Sequence, residues 1–63
     1  MKNIIRELRK NNGLRQEDLA KEVGVTRQTI IAIENDKYDP TLSLAFALAK
    51  VLAVTVDELF DSE

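Results

Sequence analysis

Gly24 stands between two short apolar patterns that fit together only around a sharp turn. Before it, Leu19, Ala20 and Val23 recur at helical spacing; after it come Val25, Ile30 and Ile33. Such a turn asks for positive φ, which glycine supplies without steric cost. Ala20, four residues earlier, is small, as two helices crossing at nearly a right angle require, since a larger side chain would push them apart. The second pattern opens on Thr26, Arg27, Gln28 and Thr29, all polar and all able to hydrogen-bond.

The rest of the chain is organised around this pair. Ile4, Ile5 and Leu8 recur at helical spacing over Lys2 to Asn11, and Asn12-Gly13 is a helix stop. The second helix is expected from Gln16 to Val23, with Glu17 and Asp18 favouring its N-terminus through the helix dipole. Thr26 is placed to cap a third helix ending near Asn35. Asp39-Pro40-Thr41 reads as a loop and a cap, followed by a strongly apolar fourth helix carrying Leu42, Leu44, Ala45, Leu48, Ala49 and Leu52. Thr55 with Glu58 three residues on has capping-box spacing and starts a last short helix through Leu59 and Phe60. No strand is expected; Ala53 to Val56 reads as an inter-helix connection. The chain is therefore predicted to be a single all-α domain over residues 1–63, compact and five-helical, with Leu19, Val23, Ile30, Ile33, Leu48 and Leu52 in one core.

Composition excludes several kinds of function. A chain of 63 residues buries only a modest core. Without cysteine or histidine it lacks thiol chemistry, the commonest metal ligand and the usual general base. No metal site and no cofactor is expected. The carboxylates fall on helix starts and exposed faces with no convergent nucleophile, so an enzyme is not expected either. The longest apolar run, Leu44 to Ala49, is too short to span a bilayer, and the N-terminus lacks the apolar block of a signal peptide, which points to the cytoplasm and to no membrane partner. The net charge of -2 is unevenly spread: residues 1–37 hold eight Lys/Arg against six Asp/Glu, and residues 38–63 hold one Lys against five acids. The polar helix start lies in the basic part.

Two short helices about a glycine turn form the helix-turn-helix pattern, and the stretch LRQEDLAKEVGVTRQTIIAIENDKYDPTL carries it in detail. Its succession of Gln, Leu-Ala, Gly-Val, Thr-Arg-Gln-Thr-Ile, Ile-Glu, Lys-Tyr and Pro resembles the Cro/CI repressor type, also called the xenobiotic-response-element family, from about Ile4 to Phe60. The resemblance implies a lambda-repressor-like DNA-binding fold whose third helix lies in the major groove. It implies base reading by Arg27, Gln28 and Thr29: two parallel donors of Arg27 suit guanine O6 and N7, Gln28 suits adenine N6 and N7, and Ala32, one turn on, suits a thymine methyl. Phosphate contacts are implied for Gln16, Thr26, Lys37 and Tyr38, with outer contacts from Arg15 and Lys10. Gln16 also fits a plain helix-start role, and the Tyr38 ring could instead lie on the core edge. Arg9 and Glu34 match positions that form a partly buried ion pair in the family.

The chain departs from the family pattern at several points. Asp36 stands where glycine is common and Asp39 where asparagine is common, so two carboxylates border the expected phosphate clamp. Ala53 replaces a common glycine, and a positive φ there would cost about 1 kcal/mol relative to glycine. Phe46, Ala47 and Ile31 leave apolar surface suited to contact with another chain. The expected function is a sequence-specific DNA-binding transcriptional regulator, a repressor, acting on a double-stranded operator as a homodimer, because one domain reads only half a site. Val54, Val56, Leu59 and Phe60 are the expected dimer surface, although Leu59 and Phe60 fit the monomer core equally well. The chain ends three residues after Phe60, so control is expected from concentration, dimerisation or a second regulatory protein. The alternative is a protein-interaction module, such as an antitoxin that holds a partner through its acidic C-terminal half.

Overall fold

A computed structural model describes residues 2–61. A short strand β1 (Lys2–Asn3) precedes helices α1 (Ile5–Asn11), α2 (Gln16–Val23), α3 (Arg27–Glu34), α4 (Leu42–Leu52) and α5 (Val56–Leu59), and β2 (Phe60–Asp61) follows. The five expected helices are present, in the expected order.

Their starts follow from side-chain caps. The hydroxyls of Thr26, Thr41 and Thr55 accept from the backbone N–H groups of Thr29, Leu44 and Glu58 at 3.3, 3.2 and 3.1 Å. Glu58 returns the bond at α5, its Oε1 accepting from Thr55 N at 2.8 Å. At α2 it is Asp18 whose carboxylate accepts from Arg15 N at 2.9 Å. Each such cap satisfies a backbone donor that the helix leaves without a partner.

The ends of α1 to α4 share one device. The N–H of Leu14, Val25, Lys37 and Val54 donates back to the carbonyl of Arg9, Ala20, Ala32 and Ala49 respectively, at 2.8–3.0 Å. Each closure passes through a residue at positive φ: Gly13 (70°), Gly24 (74°), Asp36 (60°) and Ala53 (60°). A Cβ added at Gly24 would meet no atom within 4 Å, so glycine is needed there for its backbone angle and not for space. Asp36 and Ala53 hold the same geometry with a Cβ in place.

Two expectations are corrected at the termini. The first helix begins at Ile5, not Lys2, because Asn3 Oδ1 accepts from Ile5 N at 3.1 Å and the residues before it are extended. Lys2 and Asn3 pair antiparallel with Asp61 and Phe60, a two-stranded ribbon that was not expected. Phe60 accordingly leaves the last helix, which stops at Leu59.

Ile5, Leu19, Ala20, Ile30, Ile33, Leu48, Ala49, Leu52 and Leu59 form one buried cluster, with Val23 and Val25 packed at its edge. The glycine turn thus brings α2 and α3 into the same core, and α4 backs them. Ala20 lies at the crossing, 3% exposed. Leu59 is fully buried, a burial worth about 1.5–3 kcal/mol. It closes the core of its own chain and is withdrawn from the expected dimer surface.

Candidate nucleic-acid interface

With Ile30 and Ile33 buried, the other side of α3 faces outward. Arg27 and Gln28 are exposed at its first turn, and Thr29, Ile31 and Ala32 are half-buried. The Thr26 and Thr29 hydroxyls lie 3.1 Å apart. Lys37 and Tyr38 follow the helix in an exposed loop, and Lys10 is exposed at the end of α1.

A hydrogen-bonded chain runs behind this face. Arg27 Nε donates to Gln16 Oε1 at 3.3 Å, and Gln16 Nε2 donates to Glu34 Oε1 at 3.1 Å. Glu34 also accepts from Arg9 Nε through Oε2 at 2.7 Å and from Arg6 Nε through Oε1 at 3.4 Å. Arg9 in turn donates to the Leu14 carbonyl at 2.9 Å. The Glu34 side chain has no solvent exposure and that of Arg9 has 9%, so the charges are removed from water together and each is hydrogen-bonded. Burial pushes the Glu34 carboxyl upward, but the bonds from Arg9, Gln16 and Arg6 outweigh it and hold the group below the usual carboxylate range.

The structure therefore brings Gln16, Arg27, Arg9 and Glu34 together, with Gln16 bridging the start of α2 to both ends of α3. Arg15 is placed differently. Its exposed guanidinium lies 3.3 Å from Asp18 and 3.7 Å from Glu17, so acids of its own helix already balance its charge.

Arg6 and Asn3 escaped sequence reasoning. Arg6 Nη2 donates to Asn35 Oδ1 at 2.7 Å, and Asn3 Nδ2 donates to the Ile33 carbonyl at 2.9 Å and to Asp36 Oδ1 at 3.3 Å. Both hold the C-terminal end of α3 against the N-terminal part of the chain. The spacing of Arg6 and Arg9, three apart on one helix, was the available signal that two guanidinium groups share a face.

The helix-turn-helix family model matches residues 5–59, spanning all five helices. The chain belongs to the helix-turn-helix family of the Cro/CI type. Among its relatives is an uncharacterized HTH-type transcriptional regulator of Methanocaldococcus jannaschii, 55% identical over 60 residues that make up 95% of this chain and 91% of the relative. The immunity repressor protein of Bacillus phage phi105 is 34% identical over 94% of this chain and 41% of its own. Among solved structures, the P22 c2 repressor protein in complex with a synthetic operator superposes with a TM-score of 0.87 at 34% identity, covering 94% of this chain and 89% of the other. The family is one of DNA-binding transcription regulators and not of enzymes.

In this helix-turn-helix protein a second outward surface is apolar. Leu42 and Phe46, one turn apart on α4, are 67% and 59% exposed. Leu42 borders an open groove of about 280 Å³ whose walls include Pro40, Ala45, Val56 and Phe60. Val54, Val56 and Phe60 are half-buried and pack partly on the core. No helix among the described residues is long and apolar enough to cross a membrane.

Proposed function

We propose that this transcription regulator is a repressor that reads a specific DNA operator by inserting α3 into the major groove, as a homodimer. The observation that carries the reading is the pairing of two exposed bidentate side chains, Arg27 and Gln28, on the first turn of a helix whose opposite side is locked into the core. Arg27 reads guanine and Gln28 reads adenine, with Thr29 and Ala32 completing the base contacts. Thr26, Lys37, Tyr38 and Lys10 grip phosphates around them, and Gln16 contributes from the start of α2. Arg15, balanced by Asp18 and Glu17, is the weakest of these contacts.

The P22 c2 repressor, with its operator bound, supports this orientation by its similarity over nearly the whole chain. The homodimer is supported by the groove that Leu42, Val56 and Phe60 line, together with Phe46 exposed one helical turn beyond Leu42. A second copy covering it would remove the largest exposed apolar side chains from water. We place the protein with its DNA in the cytoplasm.

Selection from random duplexes with purified protein tests the reading. One sequence with two related half-sites about one helical turn apart, bound by two chains, is the expected result. Enrichment of no sequence would overturn it and favour a module that holds a protein partner.

A further inference from the structure

Ile31 is the apolar residue of α3 that neither the core nor the proposed base contacts employ. It is half-buried but takes no part in the core cluster that holds its neighbours Ile30 and Ile33. At 3.6 residues per turn, about 100° per residue, Ile31 and Ala32 fall on either side of Gln28, away from the buried stripe. Ile31 is also one turn beyond Arg27. A β-branched apolar side chain therefore lies on the outward side of a helix, outside the core cluster, with part of its surface left in contact with water. In a helix such a side chain holds one χ1 rotamer strongly, so its methyl groups are presented in a fixed direction at little entropic cost.

We infer that Ile31 is a specificity-determining residue that packs against a thymine methyl group in the major groove. The inference rests on the reading of α3 as the recognition helix. In that groove the C5-methyl of thymine is the prominent apolar group of the base edges, which otherwise read mainly as hydrogen-bond donors and acceptors. The position of the thymine follows from helix geometry. Ile31 lies about 6 Å along the axis from Arg27 and base pairs are about 3.4 Å apart, so the methyl belongs to a base within about two pairs of the one Arg27 reads. A bulkier apolar group than Ala32, at this place, adds a requirement for thymine beside the polar contacts.

The test starts from the operator selected with the wild-type chain. Each thymine is replaced singly by deoxyuridine, which removes the methyl and leaves every hydrogen-bonding group. Burial of one methyl predicts a loss of about fourfold in affinity per half-site at a thymine near the base assigned to Arg27. Ile31→Ala should bind the thymine operator about that much more weakly and show no further loss with deoxyuridine at that position, while its response at other thymines matches wild type. Ile31→Val, which keeps the branched methyl pair, should retain most of the sensitivity. Circular dichroism confirms that each variant is folded, and the deoxyuridine scan of the wild type needs no variant at all. Equal thymine-to-uridine profiles for wild type and Ile31→Ala, or a wild-type profile flat near the Arg27 base, overturn the role of Ile31 and leave the DNA reading standing. Enrichment of no operator overturns both. Loss of self-association by Ile31→Ala with an unchanged profile would assign the residue to a chain contact instead.

Discussion

Arg9 Nε donates to Glu34 Oε2 at 2.7 Å, and the two side chains lie almost wholly out of water between α1 and α3. The same carboxylate receives Gln16, and Gln16 receives Arg27, so an ion pair inside the fold is continuous with the first turn of the outward-facing helix. Removing one partner of such a pair leaves an uncompensated buried charge. Arg9→Ala or Glu34→Ala is expected to cost about 3–5 kcal/mol, a large share of the stability of a small domain, measured by urea unfolding.

The pH dependence of stability follows from the same carboxylate. A carboxyl whose folded pKa is depressed contributes its full stability above its unfolded value, about 4.3, and loses it as pH falls through the lower folded value. Wild-type stability should therefore fall below about pH 4. Glu34→Gln, less stable at pH 7, should show a weaker decline over that window in thermal scans. A parallel decline in both proteins would assign the acid sensitivity to other groups.

Ala53 and Asp36 hold positive φ where glycine pays no steric cost. Ala53→Gly should stabilise the protein by about 0.5–1 kcal/mol, the left-handed strain it relieves exceeding the extra entropy of the unfolded glycine. Gly24→Ala should cost about 1–2 kcal/mol, through backbone angle alone since its Cβ would meet open space. Melting temperatures of the two variants should move in opposite directions.

Asn3 joins three elements through one amide: its Oδ1 accepts from Ile5 N at the start of α1, and its Nδ2 donates to the Ile33 carbonyl and Asp36 at the end of α3. Asn3→Ala should cost about 1–2 kcal/mol. Hydrogen exchange should accelerate most at Ile5 and in the ribbon.

The helices and their joints were legible because each apolar stripe has helical period and the starts of α2 to α5 carry a Thr or an acidic cap. Gly24 and Ala20 make the crossing of α2 and α3 readable from the sequence. The ribbon was not legible, since two residues are too few to show strand alternation, and the partners Asn3 and Phe60 lie at opposite ends of the chain. Arg6 was missed because an arginine three residues from another announces a shared face but not what faces it. Leu59 and Phe60 look alike in sequence; only packing separates the fully buried leucine from the half-buried phenylalanine in the strand. The outward position of Ile31 was present in the helical spacing, which already left it as apolar surface beside the core; its half-burial was visible only in three dimensions.

The dimer proposal predicts two chains in sedimentation at micromolar concentration with operator present. Leu42→Asp, at an exposed position, should lower cognate affinity by weakening the coupling of half-sites, with the fold unchanged by circular dichroism. One chain per operator would contradict the homodimer, and no effect of Leu42→Asp would move its interface elsewhere.

The central claim, that the polar start of α3 reads bases while the loop after it holds phosphates, is tested most directly by binding isotherms of Arg27→Ala and Lys37→Ala on cognate and random DNA at several salt concentrations. Arg27→Ala should lose about 1–3 kcal/mol per half-site on the operator and much less on random DNA, collapsing the specificity ratio. Lys37→Ala should weaken both DNAs nearly equally and flatten the slope of log affinity against log salt by about one per half-site. An equal, sequence-independent loss for the two variants would contradict base reading by this helix.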